Sequence, residues 1–294
     1  MDRDDLRPRR RRADRGVARR VLAVIACSAV AGLLLIALFI LMEGLPFILR
    51  VGPGRFLFSS EWQPADGRFG IFAMVVASLW VTLGAMVLGA PLGVAGAVFL
   101  CEFAPRSVMR AVKPAIELLA GIPSVVFGFV GVTVLAPLIR DHLGGPGLCV
   151  LAAAVILGIM VLPTVLSISI DALGAVPNSY REGALALGAT RWQSVRMVVI
   201  KAARPGILAS VILAMGRAVG ETMAVIMVAG NTVRLPHGVL EPVRTLTANI
   251  ALEMQQATGL HRQGLFATGV VLFAVIMLLN ALATAALRRQ AGAR

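Results

Sequence analysis

Six apolar runs, each long enough to cross a bilayer, constrain this chain more than any other feature. They cover residues 21–42, 71–100, 115–138, 148–170, 205–230 and 265–287. A helix needs about 20 mainly apolar residues to cross the hydrocarbon core. Inside that core a helix satisfies its own backbone, whereas open strands and loops do not. The expected fold class is therefore all-α, a polytopic membrane protein with six transmembrane helices. Composition agrees, because only 15% of the residues are charged and the mean hydropathy is +0.87. Soluble domains carry about 25% charged residues.

The distribution of charge argues against nucleic acid as a partner, despite a net charge of +13. Nine arginines and four aspartates fall in the first twenty residues, without apolar periodicity. Residues 1–20 are expected to be a disordered cytoplasmic arm in contact with anionic membrane lipid. Arg19-Arg20 and the stretch ending at Cys27 resemble cleavable export signals only weakly, because the apolar run continues unbroken to Met42. The run is therefore expected to remain as a helix. Residues 21–70 then form the first span and its outer loop. On that threading, about 20 basic residues lie on the side of the two termini and about 7 on the other, a bias that puts both termini in the cytoplasm. The 101–114 loop and the 179–201 segment fall on the same side.

Several local features bear on mechanism. The 43–70 loop carries Phe56, Phe58, Trp62 and Phe69, residues suited to a membrane–water interface. Pro91, Pro163 and Gly121-Ile-Pro123-Ser124 interrupt three apolar runs. Each break frees backbone groups that neighbours or a cavity must satisfy, which suggests a pathway more than an anchor. Cys27, Cys101 and Cys149 show no disulfide or metal spacing and are expected to be small buried hydrophobes. His142, His237 and His261 fall in expected outer loops and are expected to be solvated there.

The polar stretch from Ser179 to Lys201 is an island between two spans. Ser179 with Glu182, and Thr190 with Gln193, have the spacing of capping boxes. Gly188 lies between them, where a left-handed residue would end the first helix. A short helix, a turn and a second short helix are expected near residues 177–201. Such a helix-turn-helix with Arg181, Arg191 and Arg196 could bind DNA. Its membrane-spanning neighbours argue instead for a hook that docks a soluble partner.

In the fifth run, Arg217 lies about 12 residues from the start, roughly 18 Å along a helix. Glu221 is four residues on and would share its face. Gly216 and Gly220 would let another backbone come close. An arginine at that depth costs at least ~2.5–3.5 kcal/mol, so it needs a compensating role. It could pair with Glu221 and tie helices together. Alternatively its planar fork could meet an anionic substrate. Arg217, Glu221 and Thr222 are the candidate substrate-path residues.

The motifs have a family likeness. Glu182-Gly183-Ala184 with Gly188 resembles the coupling loop of importer-type ABC permeases, whose short helices sit in a groove of an ATPase subunit. The resemblance implies that Glu182, Gly183, Ala184 and Gly188 form the ATPase-coupling site. Two positions depart from the pattern: Gly183 replaces an alanine, and the segment closes Val198-Val-Ile200-Lys201 without the usual proline. Residues 117–128, 181–192 and 216–231 are similar to the phosphate-specific ABC importer permeases. Gly220-Glu-Thr-Met-Ala-Val225, with Glu61-Trp62-Gln-Pro64, is closer to their PstC-type branch than to the PstA-type sister. This resemblance implies a MetI-like permease domain over 71–294. It also implies a PstA-type sister permease, two ATPase subunits and an external phosphate-binding protein in the inner membrane assembly.

The chain contains no Walker-type loop and no HExxH or Ser/His/Asp arrangement. It is therefore expected to be no enzyme and to need no cofactor, with ATP spent by a partner. Two alternatives remain on the residues alone: an ABC permease for another oxyanion, or an ion-coupled anion carrier. A carrier would need its own coupling-ion site and often shows inverted repeats; neither is evident in the sequence.

Overall fold

The computed structural model describes residues 7–291, almost all of them helical. Thirteen α-helices follow one another among the described residues. They are α1 (Arg7–Val51), α2 (Pro53–Phe58), α3 (Phe72–Val98), α4 (Arg106–Gly121), α5 (Ser124–Val130), α6 (Ala136–Leu143) and α7 (Val150–Gly174). The hook holds α8 (Asn178–Ala186) and α9 (Arg191–Ser194), and α10 (Ile200–Gly220), α11 (Met223–Val228), α12 (Leu246–Glu253) and α13 (Gly259–Ala291) follow. π-helical turns at Phe99–Phe103, Gly131–Leu135 and Val195–Val199 extend or join them. A two-stranded hairpin, β1 (Trp62–Gln63) against β2 (Arg68–Phe69), closes the loop between the first two spans.

Six stretches are long and apolar enough to cross a membrane: Val21–Val51, Phe72–Phe103, Ser124–Leu143, Val150–Gly174, Arg191–Gly220 and Gly259–Leu282. The chain is therefore an all-α, six-span membrane protein. Its centre is α7, packed lengthwise on α3 and α10. Small residues make that approach possible: a Cβ at Gly89 would meet Gly158 O at 2.6 Å, and one at Gly93 would meet the Val165 side chain at 2.8 Å. α1 leans on α13, where Gly44 fits against the Phe266 backbone. The face that α1 presents at Val21–Leu38 is exposed, which is the expected state of a lipid-facing helix.

Several boundaries differ from the sequence expectation. Residues 1–6 of the basic arm lie outside the described residues, and the backbone is helical from Arg7 onward. α1 continues to Val51 through Pro46, so the loop that was expected from residue 43 begins later. Its aromatics pack inward as well as toward an interface: Phe47, Phe56, Trp62 and Phe69 form a buried cluster, while Phe58 is exposed. The expected 101–114 loop is mostly the helix α4, whose Ile116 packs under the hook. Pro91 and Pro163 sit inside continuous helices and break nothing. Only Gly121-Ile-Pro123 ends a helix, with Ile122 extended between α4 and α5. Cys149 is buried, but Cys27 is exposed on α1 and Cys101 is half-buried.

Candidate functional site

The fifth span is discontinuous. α10 stops at Gly220, Glu221 is extended at φ −68°, ψ 130°, and α11 restarts at Met223. The break lies far from either end of the bundle, on a face that this chain leaves partly open. Arg217 Nη1 donates to Thr164 Oγ1 at 3.4 Å. Thr164 is about 21 Å from the Val150 end of α7 and about 15 Å from its Gly174 end, so the break sits near mid-span. Beyond it, α11 rests on α5, which itself begins just after the Pro123 break. Gly128 gives them room, since a Cβ there would lie 3.2 Å from Ala224 Cα. The restarted helix α11 therefore lies against the first turns of α5, and the α10–α11 break sits at the depth where broken spans hold substrate sites in many transporters.

This geometry removes the shared helical face that the four-residue spacing of Arg217 and Glu221 implied, and with it the alternative in which the two pair. The extended Glu221 backbone turns its side chain away from the α10 face, and no ion pair joins the two. Glu221 Oε1 instead accepts from Ala224 N at 3.5 Å, at the first turn of α11. The Glu221 carbonyl accepts from Thr247 Oγ1 at 3.0 Å, which pins the break to α12. Thr222 Oγ1 donates to Gly220 O. Arg217 is exposed on this single chain, with a hydroxyl as its one side-chain partner. The glycines beside it are also open: a Cβ at Gly220 would meet nothing within 4 Å, and one at Gly216 only Asn280 Oδ1 at 3.9 Å. Among the described residues no backbone fills the strip.

The hook has the expected shape. α8 ends in a Schellman motif, with Gly188 at φ +82°, Gly188 N donating to Leu185 O and Ala189 N to Ala184 O. Thr190 and Gln193 form a complete capping box. The first box does not form: Pro177 occupies the cap position of α8, and Ser179 is already inside the helix. Glu182, Gly183 and Gly188 are exposed, and Ala184 faces partly inward. Tyr180, Leu185, Leu187 and Trp192 are also exposed, Leu187 at 91%. They leave an uncovered apolar patch at the end of the bundle among the described residues, a feature that in general marks interaction or lipid-facing sites.

One ion pair fastens the hook. Arg181 Nη2 lies 2.6 Å from Glu102 Oε1, with side chains 23% and 7% exposed. The Glu102 hydrogen bond raises the Arg181 pKa, outweighing the opposing effect of burial. Arg181 also donates to the Leu173 and Val176 carbonyls and to Asn178 Oδ1. The next residue, Phe103, lies under the Arg191 guanidinium at 5.9 Å and beside Trp192. No sequence motif singles out Glu102 or Phe103. A signal existed, since Glu102 is the lone acid between residues 71 and 116.

A second polar cluster closes the opposite end. Glu253 accepts from Arg244 Nη1 at 2.6 Å and from Trp62 Nε1 at 2.7 Å, and His261 Nε2 lies 2.8 Å from it. His261 is therefore partly buried in a network, where a solvated loop residue was expected. His142 is exposed on α6. No group of His, Cys, Asp and Glu suited to a metal ion occurs among the described residues.

Residues 89–291 match the family model described as binding-protein-dependent transport system inner membrane component. The chain belongs to this family. As such it is a multi-pass inner membrane permease, a transport component and not an enzyme. Its family implies ATPase and substrate-binding partners. A protein of Bacillus subtilis (strain 168), "Probable ABC transporter permease protein YqgH", is 41% identical over 91% of this chain and 89% of its own. "Phosphate transport system permease protein PstC" of Mesorhizobium japonicum is 38% identical over 80% of this chain and 78% of its own. Among solved structures, the permease is similar to a chain of a bacterial ABC transporter that imports alginate. There the TM-score is 0.66 at 16% identity, covering 95% of this chain and 99% of that one. A chain of the MetNI methionine ABC transporter gives 0.60 at 19%, covering 78% and 99%. Both likenesses concern the fold, and they agree with the MetI-like expectation.

Proposed function

We propose that this permease is the PstC-type subunit of an ATP-driven importer for inorganic phosphate. The observation that carries the reading is the 38% identity, over 80% of the chain, to a protein named as a phosphate transport permease. Its geometry is compatible with an anionic cargo. Arg217 sits at the mid-span break without a carboxylate partner, and a guanidinium in a poorly hydrated path suits a phosphate oxyanion. The open Gly216/Gly220 strip supports a second, PstA-type permease closing the path from the other side. Thr222, whose hydroxyl is engaged with the Gly220 carbonyl, shapes the break more than it offers a free donor.

In this reading the exposed hook, with Glu182, Gly183 and Ala184 ahead of the Gly188 turn, docks one of two ATPase subunits. An external phosphate-binding protein delivers the ion at the opposite end. The hook and both termini are cytoplasmic, in keeping with the basic-residue bias.

Reconstitution with the sister permease, ATPase and binding protein tests the substrate. Labelled phosphate should accumulate only with ATP, and excess sulfate or molybdate should compete poorly. Equal competition by either ion would assign another oxyanion, and accumulation driven by an ion gradient without ATPase would indicate a carrier. Orientation is tested with a cysteine at exposed Ser179 in a background lacking native cysteines. An impermeant reagent should leave it unlabelled in intact cells. Ser194 would be a poor choice, since its 3% exposure blocks labelling from either side.

A further inference from the structure

We propose that Arg181 is a positioning residue that carries hook movement into the spans, through a socket made by the π turn Phe99–Phe103. The proposal rests on the hook being the ATPase-docking site. Neither Arg181 nor Glu102 touches substrate in it.

A hook can transmit force only if it is fixed to something. α8 has no buried residue of its own, so apolar packing does not fix it. Its attachment is Arg181. A guanidinium has five N–H donors in a rigid fork, and all five are engaged here. Nε is shared between both Glu102 oxygens at 3.2 Å, Nη2 reaches Glu102 Oε1 and Leu173 O, and Nη1 reaches Val176 O and Asn178 Oδ1. One side chain on α8 thus grips the ends of two separate spans, the second at Glu102 and the fourth at Leu173 and Val176.

The π turn makes the grip possible. α3 is regular to Val98 and then widens, with Ala104 N donating to Phe99 O at 2.8 Å. The residue inserted by such a turn rotates everything after it by about 100° relative to a regular helix. In the rotated register Glu102 points inward toward α8, and Phe103 supports α9 beneath Arg191 and Trp192. Consecutive residues of one turn therefore hold the two hook helices. A carboxylate placed on an apolar span and 7% exposed is costly unless paired. Arg181 pairs it, and the pair in turn has one discrete geometry. Displacing the hook must then move spans two and four together, while the covalent path through Val195–Val199 moves span five and Arg217.

The test is the number of ATP molecules hydrolysed per anion imported by the full reconstituted complex. Glu102→Gln keeps the shape and one acceptor but removes the charge. Arg181→Lys keeps the charge but replaces the fork with a point that cannot hold all of these partners at once. Both variants should hydrolyse ATP while importing less, so that the ratio rises on the order of tenfold, within the range usual for coupling between two sites. An unchanged ratio in Glu102→Gln, whatever the total rate or protein level, overturns the proposal, because a purely structural tie would lower both activities together. That variant decides alone where Arg181→Lys does not assemble. The ratio is read with whichever oxyanion the wild-type complex imports. A wrong substrate assignment then appears in the wild type, and a failed joint appears only in the variants.

Discussion

Two arginines in this molecule carry the same guanidinium in opposite circumstances. At the hook, Arg181 is three-quarters buried, bonded to a carboxylate and two carbonyls, and has no donor left over. At the mid-span break, Arg217 is exposed on the single chain and has one hydroxyl partner at 3.4 Å. The first region spends its charge on holding elements together. The second keeps a charge at a depth where charge is expensive. A saturated cation gives rigidity and an unsaturated one gives binding capacity, so in the function proposed here the two regions would divide a transporter's work between transmission and contact with cargo.

Removing the unsaturated charge should have the largest effect on transport. Arg217→Gln is expected to lower phosphate uptake by the loss of a charged hydrogen bond worth about 1.5–3 kcal/mol, roughly ten- to a hundredfold. The complex should still assemble, because no packing rests on the side chain. The exchanged pair Arg217→Glu with Glu221→Arg should not recover uptake, since the break at Gly220 keeps the two side chains apart. Recovery in that exchange would mean that the two residues pair in the working state and that Arg217 is a helix tie after all.

The Glu253 cluster at the end opposite the hook belongs with Arg181 and should respond as a structural tie. Glu253→Ala leaves Arg244 partly buried without its carboxylate and strips Trp62 and His261 of their shared acceptor. A loss of about 3 kcal/mol in the stability of the detergent-solubilised chain is expected. Uptake should fall no further than protein level does. A normal protein level with no uptake would move this cluster to the side of Arg217.

How much of this division was legible beforehand follows from the range of the interactions involved. The spans, the Gly188 turn and the Thr190 cap depend on residues within a few positions of one another, and their patterns are local. The Arg217–Glu221 pairing looked equally local, but it assumed an unbroken helix. No proline marks the break at Glu221; it is held by α11 against α5 and by Thr247 on the Glu221 carbonyl, contacts the linear pattern does not contain. Glu102 and Arg181 are 79 positions apart, and their meeting depends on a π turn that no composition rule announces. The local rules also overreached at Pro91 and Pro163, because the neighbouring helices against which α3 and α7 stay continuous are a tertiary fact.

Within the hook, the turn should matter more than its caps. Gly188 is at φ +82° with nothing within 4 Å of a would-be Cβ, so strain there is purely one of backbone. Gly188→Val is expected to cost about 1–3 kcal/mol locally and to lower uptake while membrane insertion stays normal. Gly188→Asn, which tolerates a left-handed backbone, should retain most uptake. Equal loss in both would point to a partner contact at the glycine itself.

The smallest effect separates the two capping sequences, which look alike as text. Thr190 accepts from Gln193 N at 3.3 Å while Gln193 Oε1 accepts from Thr190 N at 2.8 Å, so both ends of that box are made. Ser179 makes neither bond, because Pro177 already caps α8 and the serine sits two residues too late. Replacing a working cap with alanine costs about 1 kcal/mol, which is roughly fivefold in a local opening equilibrium. Thr190→Ala should therefore speed amide hydrogen exchange at Gln193 by about that factor. An exposed serine without a cap role should change local stability by less than about 0.5 kcal/mol on substitution, so Ser179→Ala should leave exchange in α8 near its starting rate. If both substitutions accelerate exchange equally, Ser179 caps α8 in solution after all and the helix begins two residues later than Asn178. If neither does, α9 is held by Phe103 under Arg191 and Trp192 and not by its cap, which would transfer still more of the hook's rigidity to the end of the second span.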